Sequence, residues 1–110
     1  MDGNTSLFDN KEKLSDLIHY QEGSVVSRQL IKKSAGNVTL FAFAKDEGLS
    51  EHTAPFDALV YIIDGSAEIS IDKKHFHLSK GEIIVMPANI PHALKAPEPF
   101  KMMLVMIKTE

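Results

Sequence analysis

The chain has 110 residues, 44% hydrophobic and 25% charged, which describes one globular domain and excludes both a disordered chain and a two-domain protein. Its 12 Lys and Arg against 15 Asp and Glu give a net charge of -3, arguing against a cationic surface for nucleic acid or anionic lipid. With no cysteine, disulfides, thiolate nucleophiles and Cys-containing metal sites are excluded, and the five His and the carboxylates carry any metal or acid–base chemistry.

Residues 1–22 read as a polar appendage without β-branched runs, and residues 23–110 as the β-domain. Met1-Asp2-Gly3-Asn4 lacks the basic-then-apolar order of a signal peptide, and no apolar run approaches the roughly 18 residues of a membrane span. A cytoplasmic location with no membrane partner is expected. Within the appendage, Leu14, Leu17 and Ile18 have the i, i+3, i+4 spacing of a short amphipathic helix, with Asn10 or Asp16 available as its cap.

From Ser24 onward, short runs rich in Val, Ile, Phe, Leu and Thr alternate with turn residues. They predict strands over Val25–Ile31, Asn37–Ala44, Ala58–Asp64, Ser66–Ile71, His75–Leu78, Ile83–Met86, His92–Ala96 and Lys101–Lys108. None of the intervening gaps, from Ser34-Ala35-Gly36 to Pro97-Glu98-Pro99, has room for a crossover helix. Parallel βαβ architecture is thereby excluded, and an all-β, antiparallel jelly-roll barrel with a short N-terminal helix is expected.

Two of these strands are apolar on both faces. Leu59, Tyr61 and Ile63 alternate with Ala58, Val60 and Ile62, while Met103, Val105 and Ile107 alternate with Met102, Leu104 and Met106. A small β-domain has one interior, so Leu59, Tyr61, Ile63, Met103, Val105 and Ile107 form a second set that must pack on something else. A two-fold homodimer is the expected cover.

Two segments carry the chemistry: Gly48 to Gly65, containing His52, Ala54, Asp57 and Ala58, and Gly81 to Ala96, containing Pro87, Asn89 and His92. In this arrangement the chain resembles the small single-domain cupins over about Val38 to Ile107, which implies the double-stranded β-helix form of the jelly roll. The resemblance also implies that the N-terminal strands add to a partner's sheet. In the family, two His and a Glu of the first motif and a His of the second hold one divalent metal. His52 and His92 match two of those ligands, whereas Ala54 stands at the second His and Ala58 at the Glu. Asn89 replaces a motif glycine, Ala96 replaces the final Asn, and Gly48 lies closer to His52 than the motif's opening glycine does.

Durable catalytic metal sites use about three protein ligands and an open position. The expected metal set is therefore His52, His92 and Asp57, with Glu51 as another source of the third ligand. Asp57 directly precedes the lost Glu position, but alternation along a strand sends a neighbouring side chain to the opposite face unless Pro55 bends the segment. The other reading keeps His52 and His92 as polar groups in an apolar pocket. Its walls would be Ala54, Phe56, Ala58, Val60, Ile62, Met86 and Leu94, together with Phe41 or Phe43 and Met102 or Met106. Replacing a His and a Glu by two alanines removes charge from such a pocket, which then suits a small organic ligand with one or two hydrogen-bonding groups.

His75 and His77 flank Phe76 beside Lys73-Lys74 and read as solvent-facing; His19 reads as surface or interface. Tyr20 and Tyr61 read as packing residues with tied hydroxyls. Two function classes follow. One is a small-molecule-binding cupin; the other is a metal-dependent dioxygenase, isomerase or decarboxylase using Fe, Mn, Ni or Zn on His52, His92 and Asp57 or water. A sensory or structural subunit acting through a partner is a third class, on which the residues are silent.

Overall fold

The computed structural model describes Leu7 and residues 9–109; the rest of the expected 1–22 appendage, residues 1–6 and 8, lies outside the described residues. Among the described residues, nine strands follow one another as β1 (Val25–Lys33), β2 (Gly36–Phe43), β3 (Gly48–His52), β4 (Phe56–Asp64), β5 (Ser66–Ile71), β6 (Lys74–Ser79), β7 (Ile83–Met86), β8 (His92–Lys95) and β9 (Phe100–Lys108). All pairings are antiparallel, in a five-stranded sheet ordered β1-β2-β9-β4-β7 and a four-stranded sheet ordered β3-β8-β5-β6. The absence of crossover-length gaps in the sequence dictates this outcome, because only hairpins and short arches can join such strands.

The main core lies between the sheets. Phe43, Val60, Ile62, Phe100 and Met102 come from the five-stranded sheet and Ala67, Ile69, Leu78 and Leu94 from the other, all buried in one cluster. Phe43 and Phe100 stack with ring centres 4.5 Å apart and planes 10° from parallel. The turn joining β4 to β5 requires Gly65, whose φ is 71° and where a Cβ would lie 2.0 Å from the Pro99 carbonyl oxygen.

Two expectations need correction. The N-terminal helix is a single 3-10 turn, Leu14–Asp16, whose N-cap Lys13 has extended backbone and makes no side-chain cap hydrogen bond. Without that cap, a segment this short does not propagate a helix. The strand β3 was absent from the expected set; Ser50, Glu51 and His52 are exposed on an edge strand and carry no apolar alternation.

The 3-10 turn anchors a second, smaller core. Ile18, 3% exposed, clusters with Leu40, Ala42 and Ile63 on the outer face of the five-stranded sheet, and Leu14, Leu17, Tyr61 and Met103 pack around them. Arg28 Nη1 donates to the Leu17 carbonyl at 3.0 Å, and Lys101 Nζ donates to the Ser15 carbonyl at 3.0 Å. The N-terminal segment therefore covers one half of the second apolar face, including Tyr61, Ile63 and Met103. Among the described residues nothing covers the other half: Ile83, Val85 and Ile107 are more than half exposed. β1 and β2 pair with each other, and β2 with β9, within the same chain.

Candidate functional site

His52 at the end of β3 and His92 at the start of β8 are cross-strand partners. Their rings meet edge to face, with centres 4.4 Å apart and planes at 68°. Each ring is anchored in the same way. Nδ1 of His52 donates to the Ser50 carbonyl at 2.8 Å, and Nδ1 of His92 donates to the Ile90 carbonyl at 3.1 Å. A carbonyl only accepts, so in each neutral ring the proton sits on Nδ1 and the lone pair on Nε2 is left for another partner.

The two rings differ in environment. His52 is exposed, whereas His92 is 6% exposed. Burial pushes the His92 imidazole below its ordinary value and the nearby His52 adds to the effect, while the bond to the Ile90 carbonyl opposes it. His92 is thus held neutral and available as an acceptor or ligand at neutral pH.

A cavity of about 50 Å³ lies against both rings. Of the residues expected in a pocket, His52, Ala54, Phe56, Ala58, Met86, His92 and Leu94 line it. Val60 and Ile62 do not; both are fully buried in the core between the sheets. Leu49, Met102, Leu104 and Met106 complete the lining. Leu49 comes from β3, whose exposed residues carry no strand signal in the sequence. Leu104 was legible, since it shares a face of β9 with Met102 and Met106 by simple alternation.

Asp57 does not join the His pair. Its Oδ1 accepts the backbone N–H of Ala88 at 3.0 Å, on the opposite face of β4 from Ala58. Glu51 is exposed and does not line the cavity. His75 and His77 are exposed on β6, where His77 Nδ1 pairs with the Glu68 carboxylate, and the alternating Phe76 and Leu78 turn inward. His19 is exposed. Among the described residues, no group of three or more His, Asp or Glu side chains is placed to hold a metal ion.

The Cupin domain family matches residues 39–108. The chain belongs to the cupin family. Among solved structures, a conserved protein of unknown function from Streptococcus pyogenes is 38% identical, with a TM-score of 0.87 over 92% of this chain and 89% of that one. A cupin superfamily protein from Desulfitobacterium hafniense is 30% identical, with a TM-score of 0.84 over 87% of this chain and 88% of that one. A cupin 2 conserved barrel domain protein from Leptotrichia buccalis is 44% identical with a TM-score of 0.83; the match covers 86% of this cupin but 46% of that longer chain. No curated protein matches.

Cupins commonly carry a divalent metal, and the donor set of this one does not fit such an ion. Two imidazoles line the cavity without any carboxylate, and Asp57, next to the position of the motif Glu, is committed to Ala88 on the other face of its strand. A dication there would lose its hydration with no counter-charge and too few ligands.

Proposed function

We propose that this cupin is a small-molecule-binding protein whose ligand places an uncharged hydrogen-bond donor, a hydroxyl or an amide N–H, against His52 and His92. The observation that carries the reading is the pairing of the two rings over a cavity walled by Ala54, Ala58, Phe56 and methionines. Both Nδ1 atoms are committed to carbonyls, so the rings offer acceptors. The cavity admits only a head group as it stands, and the rest of the ligand would run outward past the exposed His52. The unbranched Met side chains give the walls room to adapt. A phosphorylated ligand would have to shed its hydration without a cationic partner, at a cost of several kcal/mol per ion.

The metal-dependent enzyme reading needs a third ligand. The bond from Ala88 to Asp57 weighs against it, as does the placement of Glu51 away from the cavity.

The test is a thermal-shift panel of small alcohols, phenols and amides beside sugar phosphates. A binder present at about 100 times its Kd stabilises the native state by about 2.7 kcal/mol. Neutral donors should raise the melting temperature of the wild type and leave His92→Ala unmoved. Stabilisation by the phosphates alone, or an equal response from His92→Ala, would refute the reading.

We also infer a two-fold homodimer through the uncovered half of the five-stranded sheet. Supporting it, Ile31, Val38, Val105, Leu59 and Val85 stand in register across β1, β2, β9, β4 and β7 on its outer face. A continuous apolar row of this width marks an association surface, and closed two-fold symmetry is the commonest way to bury one.

A further inference from the structure

On the outer face of the five-stranded sheet, a cavity of about 470 Å³ lies between the N-terminal segment and strands β4 and β9, a volume typical of sites for small organic ligands. Its lining is apolar where Leu14, Tyr61 and Ile63 contribute, and it carries three lysines, Lys13, Lys80 and Lys101, beside Asp16 and Asp64. Three positive charges thus meet two negative ones, on a chain whose net charge is -3. Among the described residues, none of these lysines is ion-paired with a carboxylate. Asp64 is already engaged, since its Oδ2 accepts the Tyr20 hydroxyl at 2.6 Å; burial and that bond push the hydroxyl's pKa up, so it stays a donor. Lys101 is held in place without being neutralised. Its Nζ donates to the Ser15 carbonyl at 3.0 Å and stands 5.1 Å from the centre of the Tyr20 ring, which leaves other N–H groups of the ammonium for a ligand. Contrary to the expectation of a tied hydroxyl, the half-buried Tyr61 has no hydrogen-bond partner for its own among the described residues.

We propose that this cavity binds a small organic carboxylate, whose apolar body lies on Leu14, Tyr61 and Ile63 and whose oxygens meet Lys80, Lys101 and the Tyr61 hydroxyl. The excess of one positive charge in the lining matches a monoanion. A phosphate dianion would overshoot it beside Asp16 and Asp64, and inorganic phosphate has no apolar body to bury on the leucine, tyrosine and isoleucine. The site is separate from the His52–His92 cavity, which is lined by the opposite, inward set of residues on the same strands, so the two ligands share no donor or acceptor. A carboxylate seated here would touch the N-terminal segment and the sheet at once. It would therefore bind only while that segment is docked and would stabilise the docking by mass action.

The test is a titration of the isotope-labelled full chain with benzoate, followed by NMR at fixed ionic strength, with benzamide, chloride and inorganic phosphate as comparisons. Benzoate should give saturable shifts at Lys13, Ser15, Tyr61, Lys80 and Lys101, and should slow amide exchange in the segment around Leu17 and Ile18. Lys80 is exposed and belongs to neither hydrophobic cluster, so Lys80→Glu should fold. That variant should bind benzoate more weakly by about 5-fold or more, what an exposed ion pair contributes at the top of its usual range. The proposal is overturned by the absence of saturable shifts at these residues, by equal shifts there from benzamide, chloride or phosphate, or by undiminished benzoate affinity in folded Lys80→Glu. Should the variant not fold, the contrast between benzoate and benzamide on the wild type decides alone. The neutral-ligand reading fails or stands separately, because responses at His52 and His92 report on the inner cavity and responses at Lys80 and Lys101 on this one.

Discussion

Asp57 accepts a hydrogen bond from the backbone N–H of Ala88 at 3.0 Å, joining the start of β4 to the loop that leads into His92. The same loop is held a second time, by the Asn89 N–H donating to the Ala54 carbonyl at 2.8 Å. Asn89 has a positive φ of 64°, a conformation that Asn tolerates better than most residues. The carboxylate beside the vanished Glu position thus acts as a brace for the loop carrying the second His. Asp57→Ala should cost about 0.5–1.5 kcal/mol in urea denaturation, a charge-assisted bond discounted for its exposure, and should leave metal content unchanged. A drop in metal binding on this substitution would contradict the placement.

His92 gives the fold a pH dependence of predictable sign. Burial lowers its pKa from the ordinary 6.5, so the unfolded chain takes up the proton before the folded one. Its contribution to stability is complete above the ordinary value and is lost as pH falls through it toward the lower folded value. Between about pH 7.5 and 5.5 the wild type should therefore lose more stability than His92→Gln, as measured by denaturant midpoints at each pH. Parallel curves for the two proteins would show that the ring is not desolvated.

The N-terminal segment is part of the folded body. Ile18, buried against Leu40, Ala42 and Ile63, is its anchor. Ile18→Ala should cost about 2–4 kcal/mol, the usual range for a buried large-to-small change. Calorimetry that finds no loss would mean that residues 14–18 are a loose tail.

The assembly surface is testable by charge. Tyr61 belongs to the half-face already covered by Leu14 and Leu17, so a substitution there would disturb the chain itself. Leu59 and Val105 face each other across β4 and β9 in the uncovered row. Light scattering at micromolar concentration should give the mass of two chains for the wild type and of one for Leu59→Glu. A single-chain mass for the wild type would dispose of the dimer.

The strands were legible wherever an interior face alternates with another, as in Ala58, Val60 and Ile62 or Met102, Leu104 and Met106. Alternation reports which face a residue occupies, but not how far along the strand the packed core gives way to a cavity. That is why Val60 and Ile62 were expected in the pocket with Ala58, although both are sealed between the sheets. β3 escapes an apolar pattern because an exposed edge strand needs none: Ser50 and Glu51 are exposed at the irregularity in its pairing with β8, and His52 pairs with His92. The helical spacing of Leu14, Leu17 and Ile18 was real but served a different end, since one turn suffices to lay these side chains on the outer face of the sheet. The pairing of His52 with His92 was readable only through the family motif, because the two residues lie 40 positions apart in sequence.

The most direct test of the central claim is a crystal structure of protein purified without added metal, with anomalous diffraction collected at the Fe, Mn, Ni and Zn edges. No peak is expected at any of these edges between His52 and His92, and Asp57 should remain bonded to Ala88. A full-occupancy peak at one of them, coordinated by both imidazoles and a carboxylate, would contradict it.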